Sequence, residues 1–468
     1  MPRFIFDPGA VGSTPPIGNA AANNSVPLFG TTSVGGIEGE GTVFTMNSDG
    51  TGYTLLHIFT NLDGQFPAAG LVPSDDGVLF GTTVNGGASG NGTVFSVQTN
   101  GTGFKVLHSF SARNNSAFTN SDGASPYGQL ILSGDTLYGT AANGGNANEG
   151  TVFSIETNGM NFTVLHDFTA AKNDPNFNLT NSDGATPYAK LLLSGTTLYG
   201  TASGGGIGGA GTVFAVDTNG ANFKVLHSFA AMDPLRFTNA DGVAPEAGVI
   251  LSGDTLYGTT FQGGGANRGT VFAVNTNGTI FTNLYIFTGG SDGGKPAADL
   301  ILFSNVLFGT STGFGNSGSG TVFGLTTNGT VFRVIHSFDV ANYDGGFSYT
   351  NTDGANPKAG LIAVSNVLYG TTSGGGSGGN GTVFNISFLP RPSILSLTLS
   401  RTNLVINGAN GLSNGTYVTL ISPDFTQPLS TWTPAATNFV PQAGNFTFTA
   451  TNVVDPQASR RFFILRSQ

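Results

Sequence analysis

The residues best equipped for chemistry in this chain are five histidines and a set of aspartates, and both recur at fixed spacing. His57, His108, His166, His227 and His336 each take the second place of an [LI]-[HY]-x-F element, with Tyr285 in that place in one further copy. Asp63, Asp122, Asp183, Asp241, Asp292 and Asp353 each open a D-G-x-x-P element. A catalytic histidine belongs to one site, whereas these are one framework position copied along the chain. We therefore read them as structural, with the imidazole hydrogen-bonded between neighbouring strands or blades, because buried polar groups need partners. No Ser-His-Asp arrangement stands apart from the repeats. The aspartates follow T-N-x in several copies, as in "FTNSDG" (Phe118 to Gly123) and "YTNTDG" (Tyr349 to Gly354). Asn and Asp at these offsets make Asx turns. The same oxygens suit Ca²⁺, which stays open as a ligand; no other cofactor is expected. A pair of catalytic carboxylates converging from distant copies also stays open, although no carboxylate stands out as unique.

Glycine runs are the other feature that invites a chemical reading. "SGGGIGGAG" (Ser203 to Gly211) has a spacing like G-x-G-x-x-G. A dinucleotide loop needs a strand before it and a helix after it. Here a strand follows, and the pattern repeats seven times, so these are hairpin loops. They also lack the Asp of calcium-binding G-G-x-G-x-D coils.

The elements that position these residues form an internal repeat. L-[FY]-G-T begins at Leu28, Leu79, Leu137, Leu198, Leu256, Leu307 and Leu368, and G-T-V-F follows 13 residues later in every copy. The [LI]-[HY]-x-F element begins 15 residues after that, in all copies but the last. Each unit reads as four short strands, for example Gln129–Ser133, Thr136–Ala141, Gly150–Glu156 and Phe162–Phe168. They are rich in β-branched and aromatic residues and are separated by turns such as "SGD" and "TNG". Seven such units predict an all-β fold: a seven-bladed β-propeller with four-stranded antiparallel blades. The last unit lacks its fourth strand. "RFIF", Arg3 to Phe6, stands at the right distance before Leu28 to supply it, so the last blade is expected to be completed by the N-terminal strand. Pro16 to Asn24 would be a degenerate first strand of the first blade.

Composition narrows the function. Charged residues are only 9%, glycines number 73, and the formal net charge is −10. An acidic chain argues against nucleic acid, which needs clustered Lys and Arg. No apolar run is long enough to span a membrane as a helix. There is no cysteine, hence no disulfide frame or thiolate chemistry. The start has no apolar h-region, so no signal peptide is present in this chain. The single Trp432 lies outside the repeats, which argues against a propeller built on repeated tryptophan docking.

Tandem L-[FY]-G-T…G-T-V-F…L-H-x-F…D-G-x-x-P units resemble the Gloeobacter/Verrucomicrobium (GloVer) repeat, over roughly Arg3 to Phe388. The resemblance implies a bacterial, usually exported protein and brings no catalytic residues. From about Pro390 the repeat stops. Strand-like runs such as "SILSLTLS", "YVTLIS", "NFTFTAT" and "RRFFILR" predict a small β-sandwich, similar to the fibronectin-III-like modules that end many verrucomicrobial surface proteins. The expected domains are 1–389 and 390–468.

Copies differ in length almost entirely between L-H-x-F and D-G. The inserts "SARNNSAFTNS", "TAAKNDPNFNLTNS", "AAMDPLRFTNA" and "DVANYDGGFSYTNT" hold the ligand-face candidates: Arg113, Phe118, Lys172, Asp174, Phe177, Asp233, Arg236, Phe237, Tyr343, Phe347 and Tyr349. In a four-strand meander these inserts share one rim with the glycine loops, and loops on a rigid scaffold carry function. The reading is a monomeric extracellular or cell-surface binding module, with a polysaccharide or a surface protein as partner. The alternatives are a glycosidase or lyase with carboxylates near the axis, and a structural spacer or adhesin.

Overall fold

A computed structural model describes residues 4–6, 25–174, 178–233, 235–236, 238–303, 305–343, 349–364, 367–387, 393–400, 402–411, 415–422, 431–440, 444–451, 453 and 462–467. The described residues contain no α-helix. The chain divides into two compact units, Met1–Val364 with Leu368–Asn385, and Ser365–Val367 with Ile386–Gln468.

The first unit is a seven-bladed β-propeller. The third blade shows the plan. Ile131–Ser133, Thr136–Ala141, Thr151–Glu156 and Thr163–Asp167 pair antiparallel in sequence order, from the inside outward. Two glycines of the repeat are fixed by packing. In "LYGT" the ring of the G-T-V-F phenylalanine lies across the glycine: a Cβ on Gly139 would stand 2.6 Å from Phe153 Cζ. The glycine of G-T-V-F has positive φ, 97° at Gly150, and a Cβ there would meet the Ala141 carbonyl at 2.5 Å. Only glycine reaches that conformation without strain.

The third and fourth strands share a bulge in six blades. In the third blade Val152 pairs with His166 and Phe153 with Val164, so Leu165 is the extra residue. A bulge re-aims the side chains around it. Leu165 is buried, and His166 turns toward the next blade. The core is a series of apolar clusters between adjacent blades. One joins Phe80, Val94 and Phe110 of the second blade to Leu137, Phe153 and Ile155 of the third.

The ring differs from expectation at its closure. Phe4–Phe6 does not complete the last blade. It pairs parallel with Pro27–Thr32, Phe4 opposite Leu28, as the innermost strand of the first blade. Pairing there satisfies backbone groups that would otherwise be an open inner edge. In the sequence, "RFIF" carries phenylalanine at the [HY] position of the [LI]-[HY]-x-F element. Among the described residues the last blade has three strands, Ile362–Val364, Val367–Thr372 and Thr382–Ser387. Pro16 to Asn24 lies outside the described residues.

Among the described residues, the second unit has two three-stranded sheets. Ser393–Ser400, Asn403–Gly411 and Gly444–Ala450 form one; Thr433–Val440, Gly415–Ser422 and Phe462–Ser467 form the other. Leu404, Ile406 and Phe448 of the first sheet cluster with Tyr417 of the second.

Candidate functional site

The repeated histidines and aspartates meet, at five of the blade junctions. His57, His108, His166, His227 and His336 each place Nε2 2.8–3.0 Å from a carboxylate oxygen of Asp63, Asp122, Asp183, Asp241 and Asp353 respectively. The Tyr285 hydroxyl donates to Asp292 at 3.0 Å in the same place. At the third junction Asp183 also accepts the Thr169 N–H at 3.0 Å and the Thr169 hydroxyl. Its own carbonyl accepts the hydroxyl of Thr212, in the fourth blade, at 3.0 Å. The His166 ring stacks on Phe223 of the fourth blade, centroids 3.5 Å apart and 7° from parallel. The same stack joins His57 to Phe104, His108 to Phe162, His227 to Phe281 and Tyr285 to Phe332. The pairs are therefore blade-to-blade latches.

Electrostatics agree with that role. Burial pushes the Asp183 carboxyl up, but the bonds from His166 and Thr169 outweigh it and hold the group below 3.8. Asp122 behaves likewise with His108 and Ser111. Burial lowers His57 below 6.5 against the opposing pull of Asp63. Tyr285 is pushed up to about 12 by burial and by Asp292.

The connector asparagines tie the inserts to the glycine loops. Asn181 Nδ2 donates to the Thr169 and Gly184 carbonyls, each at 2.7 Å, and Oδ1 accepts the N–H groups of Gly184 (2.9 Å) and Gly206 (2.7 Å). Asn120, Asn239 and Asn351 repeat the bond to Gly145, Gly264 and Gly376. Inserts and glycine loops thus share one face of the propeller. Among the described residues, no group of three or more His, Asp or Glu side chains gathers at metal-binding distance.

The insert candidates spread over four separate loops. Arg113 Nε donates to Asn91 at 3.2 Å, and its guanidinium lies 6.0 Å over the exposed Phe118 ring. Lys172 is exposed in a two-residue strand opposite Thr180. Asp174 accepts the backbone and side-chain amides of Asn178. Asp233 accepts the N–H groups of Leu235 and Arg236, which lower its pKa, and Arg236 is exposed. Tyr343 and Tyr349 are exposed, their centroids 5.5 Å apart, and Tyr349 edges a shallow pocket with Val340. Phe177, Phe237 and Phe347 lie outside the described residues.

Convergence occurs instead at the axis. After each D-G-x-x-P the chain turns into the innermost strand of the next blade, and five of these six segments line a cavity of about 420 Å³. Its wall carries Tyr127, Gln129, Tyr188, Lys190, Glu246 and Asp299. Lys190 and Asp299 pair at 2.9 Å across an intervening connector, whose Gly248 N–H also donates to Asp299. The Tyr127 and Tyr188 rings meet edge to face at 5.0 Å. Glu246 is half-buried. Burial raises its pKa, and the charges of Lys358 and Lys295 partly offset this. None of the eight described insert candidates lines this cavity. The missed signal is in the sequence: the three residues after the proline read AAG, YGQ, YAK, EAG, AAD and KAG, the least repeated part of an otherwise regular segment.

A ring of seven repeated sheets, six of them carrying a latch and varied chiefly at the axis and on one rim, defines a β-propeller protein. The chain belongs to the Gloeobacter/Verrucomicrobia repeat family, whose profile matches residues 4–180 and 234–388. A search of curated proteins found no match. Among solved structures, the chain is similar to oligogalacturonate lyase from Vibrio parahaemolyticus, at 12% identity and a TM-score of 0.46, over 76% of this chain and 85% of that one. It is also similar to the extracellular domain of a hybrid two-component system from B. thetaiotaomicron, at 11% and 0.44, over 81% and 42%. A chain of the nidogen/laminin complex matches at 12% and 0.34, over 80% and 98%.

Proposed function

We propose that this is an extracellular or cell-surface binding protein that takes a polysaccharide on the insert-bearing side, with the axial cavity as its main subsite. One observation carries the reading. The repeated titratable groups are occupied in latches, and the side chains that break the repeat gather around the axis. Tyr127 and Tyr188 offer ring faces and edges to a sugar, while Gln129, Lys190, Glu246 and Asp299 offer donors and acceptors to its hydroxyls. Exposed Phe118, Tyr343 and Tyr349 extend an aromatic surface along the rim. We read the second unit as a β-sandwich appended to this module.

A glycan array tests the reading. The wild type binds a related group of glycans, and Tyr188→Ala removes the signal. An array without signal refutes it.

The enzyme reading keeps one specific support. Glu246, raised by burial and facing a cavity that also holds Asp299, has the character of a general acid. Product release from a glycan that binds, abolished by Glu246→Gln with binding retained, would favour it. A propeller alone does not choose between the two.

A further inference from the structure

The latches show what a complete junction looks like, and the junctions on the two sides of the last blade are incomplete. His57, His108, His166 and His227 have side chains 17–20% exposed, each beneath an aromatic ring of the next blade's fourth strand. His336 is 40% exposed, and among the described residues no ring of a following strand stacks on it. Among the described residues, the third strand of the last blade, Thr382–Ser387, is partnered on one side only. Phe384 is half-buried there, whereas Phe95, Phe153, Phe214, Phe272 and Phe323 at the same position are fully buried. Beyond the gap, Tyr53 and Leu55 of the first blade are exposed. The edge reads T-V-F-N-I-S, without the charge or proline that guards a bare edge.

We propose that this edge is a binding site for an extended peptide strand from another protein, of the pattern aromatic-x-x-[LI]-H-x-F, added antiparallel to Thr382–Ser387. The six complete blades supply both the chemistry and the register. In the sixth blade His336 lies opposite Val322 and Phe332 opposite Leu325. The incoming histidine therefore lies opposite Val383 and the incoming aromatic residue opposite Ile386. That aromatic ring stacks on His336, as Phe281 does on His227 at 3.7 Å. The incoming histidine meets Tyr53, which stands where Phe104 stands in the second blade. The last phenylalanine packs edge to face on Phe44, as Phe59 does on Phe95 at 5.1 Å. Main-chain bonds along the edge give affinity, and these three rings give selectivity. The site is separate from the axial cavity, so it stands whether or not a glycan binds there.

The probe is a synthetic peptide of this chain's own fourth-strand sequence, ANFKVLHSF (Ala221 to Phe229), offered to the full chain. Titration is expected to show one saturable site, with amide exchange at residues 382–387 slowed. Replacing the first phenylalanine of the peptide by alanine weakens binding about tenfold or more, from the lost stack and lost burial. Tyr53→Ala, with folding checked by circular dichroism because Tyr53 also packs on Phe44, weakens it as well. Four results would overturn the proposal: no binding, equal binding of the alanine peptide, edge amides already protected in the free monomer, or a chain that self-associates through this edge.

Discussion

Asp183→Ala removes the centre of one latch. The His166 imidazole, the Thr169 N–H and the Thr169 hydroxyl lose their common acceptor, and the stack of His166 on Phe223 loses its anchor. Bonds to a charged acceptor contribute about 1.5–3 kcal/mol each, and stranded donors in partly wet surroundings recover some of that from water, so the net loss is about 3–5 kcal/mol. A propeller unit ending at Asn385 has an unfolding entropy near ~0.8 kcal/mol/K, from about 2.1 cal/mol/K per residue. The midpoint therefore falls by about 4–6 °C, read by calorimetry at pH 7. The effect has a pH signature. The Asp183 pKa is depressed in the folded state, so its contribution is complete above 3.8 and is lost as pH falls through the folded value. The gap between wild type and variant narrows below that pH. The paired control is His166→Tyr, since Tyr285 already makes both the carboxylate bond and the ring stack. It costs less than about 1 kcal/mol, because both interactions survive in tyrosine form. A midpoint drop under about 1 °C for Asp183→Ala, or an equal drop for His166→Tyr, would refute the latch account.

Three further outcomes follow from the same geometry. Burial depresses His57, so folding favours the neutral ring; stability begins to fall as pH drops below 6.5, and His57→Tyr flattens that limb of a pH–stability curve. Gly200→Ala drives a methyl to 2.5 Å from the Phe214 ring and 2.8 Å from Leu191, and denaturant titration reads a loss of about 1–3 kcal/mol or more. Asn181→Ala frees the glycine loop of the fourth blade, so amide exchange at Gly206 accelerates while the strand amides of Thr212–Asp217 keep their protection.

Much of the fold was legible in the sequence because the repeat samples the same physics seven times. The G-T-V-F phenylalanine and the L-[FY]-G-T glycine keep a fixed offset since ring and glycine occupy one contact, as with Phe153 and Gly139. The structural reading of the histidines rested on the same logic, and the latch gives it atoms. Two things were not legible. Phe4–Phe6 has the apolar character of any propeller strand, and only the missing histidine hints that it does not belong in a fourth-strand position. The axial residues escaped because Lys190 and Asp299 lie far apart in sequence, and only ring closure brings them to 2.9 Å. Length varies in the inserts, whereas chemistry varies in the three residues after each proline.

The most direct test of the account separates framework from site in one array experiment. Wild type, the axial variant Tyr188→Ala and the latch variant His166→Tyr are read on the same glycans, with folding checked by circular dichroism. The account predicts that wild type and His166→Tyr bind the same glycans and that Tyr188→Ala binds none. Glycan binding that survives Tyr188→Ala and disappears in a folded His166→Tyr protein would contradict it.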